Sequence, residues 1–189
     1  MKKQKVYGER KMHLILHLNA RFQPKHRFEL EDALQEIFQN NKAGEITGGG
    51  TFLKENGEID SCDIEIDFSC AGKSLEWLIN LLNTIGIPKG SVLRGIESTI
   101  NVGTLEGLAI YLNGTDLAED VYKSCDINYV IEQLEQTIEG IGHMYSYREL
   151  NEFTALYFYG TSFSAMKEKM APFVSSYPLC QKCHIEQIA

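Results

Sequence analysis

The chain has 189 residues, 43% of them apolar and 23% charged, and 26 acidic against 18 basic side chains leave a formal net charge of −8. That length buries a full core in one large domain or two small ones, and the composition excludes a disordered chain. The acidic balance argues against a nucleic-acid surface, which needs a basic stripe, and no apolar run approaches the ~20 residues that cross a bilayer, so neither nucleic acid nor membrane is an expected partner.

Residues 1–10 read as a polar lead-in. No apolar segment follows this basic start, so no secretion signal is expected. A cytoplasmic location follows, with Cys62, Cys70, Cys125, Cys180 and Cys183 kept as thiols. The first strand is expected over 12–19, where Met12, Leu14, Leu16 and Leu18 alternate with His13, Ile15, His17 and Asn19. A locally basic loop over 21–27 contains Pro24, and a helix over 28–40 sets Leu30, Leu34, Ile37 and Phe38 at helical spacing. Residues 44–68 read as a hairpin. Asn56-Gly57 supplies a type I′ turn, and Ile64, Ile66 and Phe68 alternate with Asp63, Glu65 and Asp67 on its return arm. A second helix over 73–85 and a short strand over 91–96 complete the order strand, helix, strand, strand, helix, strand.

The second half repeats that order. A strand over 107–113 ends at Asn113-Gly114, and a helix over 127–138 is capped by Asp126. Strands follow over 143–147 and 153–159. A helix starts near Ser162, which Pro172 must bend or end, and a last strand covers 184–188. The offset between the halves is about 96 residues, with little identity between them. The pattern is that of an α+β protein of two tandem ferredoxin-like βαββαβ halves, with antiparallel sheets and helices on one face. The expected division is a half over 11–96, a linker over 97–106 and a second half over 107–189.

In this topology the first and third strands of each half are neighbours, and one sheet face is left bare. In the first half that face sets His13 and His17 beside Asp63, Glu65 and Asp67, within the about 5 Å of cross-strand neighbours. Three readings fit the patch. It is a solvated polar face, including ion pairs at a contact; it is a divalent-metal site of two histidines and a carboxylate among His13, His17, Asp63 and Glu65; or it is an acid–base pair, with a carboxylate orienting a histidine. The bare face of the second half is aromatic, with Tyr111, Tyr157 and Tyr159 as candidate interface residues and Tyr145 and Tyr147 nearby. Tyrosine suits contact surfaces and half-buried sheet packing alike.

Two motifs invite ligands. Gly48-Gly49-Gly50 sits in a strand rather than before a helix and lacks a following Gly-Lys-Ser, so it reads as a bulge or a close backbone approach rather than a phosphate cradle. Cys180-Gln-Lys-Cys183-His184 has haem-attachment spacing, but the expected compartment and strand context argue against haem. Cys180, Cys183 and His184 with Cys125 form a candidate zinc set, and Cys180 and Cys183 a candidate redox pair; ordinary thiols are the simpler reading. No cofactor is expected.

Several segments resemble a family of small bacterial proteins of unassigned function: His17-Leu-Asn-Ala-Arg21-Phe-Gln-Pro24, Gly44-Glu-Ile-Thr-Gly-Gly-Gly-Thr51, Cys62-Asp-Ile-Glu-Ile66, Glu106-Gly-Leu-Ala-Ile-Tyr-Leu-Asn-Gly114, Ala155-Leu-Tyr-Phe-Tyr-Gly160 and the end from Pro178 to Ile188. The resemblance spans nearly the whole chain and implies no activity or catalytic residue. The gross class, a compact acidic α+β protein, is similar to the immunity proteins of bacterial toxin systems. The resulting expectation is a non-enzymatic binding protein, with a protein partner or a second copy, acting through the acidic or the tyrosine face. The alternative is an enzyme using His13, His17, Asp63 and Glu65, with or without a divalent metal.

Overall fold

The computed structural model describes residues 11–70, 73–96 and 98–189, and the lead-in expected over 1–10 lies outside them. The first unit comprises β1 (Lys11–Leu18), α1 (Pro24–Asn41), β2 (Gly44–Leu53), β3 (Ile59–Ser69), α2 (Leu75–Ile85), β4 (Ser91–Arg94) and β5 (Thr99–Val102), with sheet order β2-β3-β1-β4-β5. The second comprises β6 (Glu106–Asn113), α3 (Glu119–Ser124), α4 (Ile127–Thr137), β7 (Gly142–Glu149), β8 (Phe153–Gly160), α5 (Phe163–Ser176) and β9 (His184–Gln187), with order β7-β8-β6-β9. The named strands pair antiparallel throughout. The ferredoxin-like α+β arrangement thus occurs twice, in two separate sheets.

Alternation on the strands decides which face is covered. Leu14, Leu16 and Leu18 pair with Ile66, Ile64 and Cys62 across β1 and β3, and all six are buried under Leu34 and Phe38 of α1 and Leu78 and Leu82 of α2. Each such side chain contributes about 1.5–3 kcal/mol of burial. In the second unit Leu108 and Ile110 pair with Phe158 and Leu156 and pack under Val130, Leu134, Met166 and Met170. Side-chain caps start three helices: Ser74 on α2, Asp126 on α4 and Ser162 on α5.

Five local features differ from the sequence reading. Helix α1 starts at Pro24 rather than at 28, because proline in a first turn forgoes only an N–H that has no intrahelical partner. The hairpin turn is not type I′: Gly57 has φ of +83° and Asn56 is not left-handed. Gly57 N–H donates to the Lys54 carbonyl (2.9 Å), and Lys54 N–H donates to the Glu58 carbonyl (2.8 Å), a three-residue loop with the glycine at its left-handed position. The expected linker carries β5, which zips onto β4 from Arg94–Thr99 to Ser91–Val102. Helix α3 occupies a stretch to which the sequence reading assigns no element, and α5 runs past Pro172 to Ser176.

The units meet asymmetrically. Ala109, Ala155, Tyr157 and Tyr159, on the helix-free face of the second sheet, share one buried cluster with Phe22 and the core of the first unit. Arg21 N–H donates to the Tyr159 hydroxyl (2.8 Å), and Arg148 Nε donates to the Gly57 carbonyl (3.0 Å). The second sheet therefore caps the end of the first unit that carries the β1–α1 and β2–β3 connections.

Candidate functional site

The helix-free face of the first sheet stays open. Strand register sets His17 opposite Asp63, Ile15 opposite Glu65 and His13 opposite Asp67. His17 Nδ1 lies 2.6 Å from Asp63 Oδ1, and His13 Nδ1 lies 3.0 Å from Asp67 Oδ1. An ionised carboxylate only accepts, so each Nδ1 carries a proton and donates it. At the β2 edge Lys11 Nζ pairs with Glu45 at 2.9 Å. The His17–Asp63 pair is the better shielded, with side chains 26% and 21% exposed, against 54% and 32% for His13 and Asp67. Val92 stands beside His17 on β4, and Arg94 stands beside Ile15. Glu65 is exposed at the centre of the face.

This spacing separates the metal candidates. His13 and His17 lie four residues apart on one strand, about 13 Å at 3.3 Å per residue, and each is held by its own aspartate. Among the described residues no group of three or more His, Cys, Asp or Glu side chains is placed to hold a metal ion. The C-terminal set is split by the second sheet, its cysteines on one side and His184 on the other. Cys180 is buried in a 3-10 turn, Pro178–Cys180, rather than on a strand. Cys183 packs on the helix side of the second sheet, whereas His184 stacks on Tyr111 on the opposite side (5.9 Å between ring centres, 26° between planes). Burial, with Cys183 and Cys125 nearby, pushes the Cys180 thiol up to about 12. All five cysteines are free.

The triple glycine is structural. A Cβ on Gly49 would come 2.6 Å from the Asp63 carbonyl, 3.2 Å from Arg27 Nε, and into the Glu31 carboxylate. Its absence lets the buried Arg27–Glu31 pair (2.7 Å) lie flat against β2, where Arg27 Nη1 also donates to Thr51 Oγ1 at 3.0 Å.

The tyrosine face is engaged inside the chain. Tyr157 and Tyr159 are buried and Tyr111 is half-buried. The hydroxyls of Tyr111 (2.7 Å) and Tyr157 (3.4 Å) both donate to Glu58 Oε1 at the tip of the β2–β3 hairpin. Glu58, 4% exposed and paired with Lys54 at 3.0 Å, is a site residue that the sequence reading missed. So is His26, whose Nδ1 lies 3.0 Å from Ser146 Oγ. Neither has a signal within its own half, since each acquires its role from the other unit.

Fold and face together define a two-unit ferredoxin-like α+β protein with one open, acceptor-rich sheet face. No family model matches the chain, and no curated protein matches it. Among solved structures it is similar to the first two RRM domains of yeast poly(U) binding protein, at 10% sequence identity over 93% of this chain and 99% of that one, with a TM-score of 0.26. It is also similar to an anthrone oxidase-like protein, at 11% identity over 96% of this chain and 95% of that one, again with a TM-score of 0.26. Likeness at this level carries no functional argument.

Proposed function

We propose that the chain is a non-enzymatic binding protein that presents the open face of its first sheet to a basic protein partner, in the manner of a cytoplasmic toxin-neutralising immunity protein. One observation carries this reading: Glu45, Asp63, Glu65 and Asp67 lie on one uncovered face. His13 and His17 spend their Nδ1 protons on aspartates, which leaves Nε2 of each ring as the nitrogen free for a partner's side chain. Such a face complements lysine and arginine side chains and steers their approach. A second copy would set carboxylates against carboxylates, which disfavours self-pairing through this face.

Retention of proteins from a source-cell lysate on the wild-type chain and on a folded Glu65→Lys variant tests the reading. The expected result is a basic protein held by the wild type, released by salt, and bound at least tenfold more weakly by the variant. Retention indifferent to Glu65→Lys overturns it. The 2.6 Å His17–Asp63 contact favours a second reading, an acid–base pair of an enzyme that needs no cofactor. A measured turnover abolished in His17→Ala would establish that reading in place of the first.

A further inference from the structure

The seam between the units holds a partly open cleft of about 210 Å³ that takes walls from both. Phe22, His26, Leu30 and Ile87 come from the first unit and Tyr145 from β7 of the second. Tyr145 also lines a neighbouring hollow of about 220 Å³ that reaches Leu105 and His143. The aromatic wall is held in place: Phe22 stacks on Tyr145 (5.9 Å, 14°), and Tyr145 meets Tyr159 edge-on (5.6 Å, 84°). At about 210 Å³ the space falls below the about 300–1,000 Å³ of sites for drug-sized molecules, so its natural occupant is smaller.

The polar group in this wall has a defined tautomer. Ser146 is 1% exposed, and its oxygen accepts the Gln23 N–H at 3.2 Å. A buried hydroxyl proton needs an acceptor. His26 Nδ1, 3.0 Å away, is the acceptor within reach among the described residues. Ser146 therefore donates to Nδ1, and the proton of the neutral ring sits on Nε2. Burial lowers the His26 pKa from 6.5, outweighing the opposite pull of Glu29, so the ring is neutral at pH 7. Among the described residues Nε2–H has no protein partner, and His26 is part of the cavity wall.

We propose that this seam is a binding site for a small uncharged aromatic molecule bearing one hydrogen-bond acceptor. Its ring packs on Phe22, Ile87 and Tyr145, and its acceptor takes the His26 Nε2–H. Glu29, exposed and part of the same wall, acts on His26 more strongly than Lys25 does and disfavours anions, and a ligand ammonium would meet the His26 Nε2–H donor with a donor. Because both units form the walls, occupancy stabilises their junction by linkage. The site is independent of the open face of the first sheet.

Nitrogen-15 NMR titration of the full chain with acetophenone, toluene and benzoate tests the proposal. Acetophenone is expected to bind saturably, shifting the His26 side-chain nitrogens and the Gly86 and Tyr145 amides. Toluene, which lacks the acceptor, should bind about tenfold more weakly, the worth of one neutral hydrogen bond, and benzoate no better than toluene. His26→Phe should bring acetophenone down to the toluene level. Leu30→Trp, which fills the cavity and leaves the His26–Ser146 contact alone, should abolish the shifts even if His26→Phe fails to fold. Equal binding of acetophenone and toluene, shifts centred elsewhere, or undiminished binding to Leu30→Trp would overturn the assignment.

Discussion

Glu58 is the point at which the junction of the two units is most exposed to test. Its carboxylate accepts from Tyr111 at 2.7 Å, from Tyr157 at 3.4 Å and from Lys54 at 3.0 Å. Hydrogen bonds to a charged group contribute about 1.5–3 kcal/mol, and a phenol left buried and unpaired costs about 1–3 kcal/mol. The half-exposed Lys54 adds little. Glu58→Ala should therefore cost about 3–4 kcal/mol, a large part of the about 5–15 kcal/mol that holds a domain folded. Glu58→Gln, which keeps an acceptor and loses the charge, should cost about half as much. Urea unfolding followed by circular dichroism gives both values, and a cycle with Tyr111→Phe should return a coupling above about 1 kcal/mol. Burial alone would raise the Glu58 pKa, but the bond from Tyr111 and then the bond and charge of Lys54 outweigh it, so the carboxyl lies below its ordinary 4.5. A depressed folded pKa stabilises the protein above that ordinary value, and the gain disappears as pH falls through the folded pKa. The gap between wild type and Glu58→Gln should accordingly close in acid. A Glu58→Ala cost below about 0.5 kcal/mol, or no coupling to Tyr111, would mean that apolar packing alone joins the units.

Gly49→Ala should destabilise by about 1–3 kcal/mol, because its methyl group enters the Arg27–Glu31 pair and the Asp63 carbonyl; thermal unfolding measures this, and a neutral result would show that the strand yields there. Thiol labelling at pH 8 read by mass spectrometry should find exposed Cys70 first. Cys62 and Cys180, buried and with raised pKa values, should label only on unfolding, and prompt labelling of Cys180 in the folded chain would contradict its burial.

The adjacency of β1 and β3 and the face each residue takes were legible because two alternating apolar strands must both turn their apolar sides, Leu14 and Leu16 with Ile64 and Ile66, under the helices. The same parity puts His13 and His17 on one face with Asp63, Glu65 and Asp67; which histidine meets which aspartate is set by the register, which alternation alone leaves open to shifts of two residues. The start of α1 was not legible, since Pro24 among Arg21, Lys25 and Arg27 reads equally as a loop. Strand β5 was hidden because its four residues (Thr99–Val102) alternate too briefly to declare themselves. The seam was invisible for a deeper reason. Glu58 takes its phenols from residues 111 and 157, and His26 takes its hydroxyl from residue 146, and no periodicity within either half encodes which faces meet.

One topology thus has two outcomes for its helix-free face, and the alternate residues on the strands decide between them. In the second unit Ala109, Tyr111, Ala155, Tyr157 and Tyr159 offer a broad apolar surface with hydroxyls at its margin. A single carboxylate from outside, Glu58, satisfies two of those hydroxyls. In the first unit the same positions carry Asp63, Glu65 and Asp67 with two histidines, and burying several carboxylates costs more than their pairing returns. That face therefore stays wet. The β2–β3 hairpin joins the two situations: its tip places Glu58 in the junction, and a few residues later its return arm places Asp63 on the open face. A partner that pulls on Asp63, Glu65 and Asp67 thus acts on the same strand that anchors the second unit. Binding at the face and stability of the seam should be measured together in Glu65→Lys and Glu58→Gln, because the hairpin is the physical element through which either could influence the other.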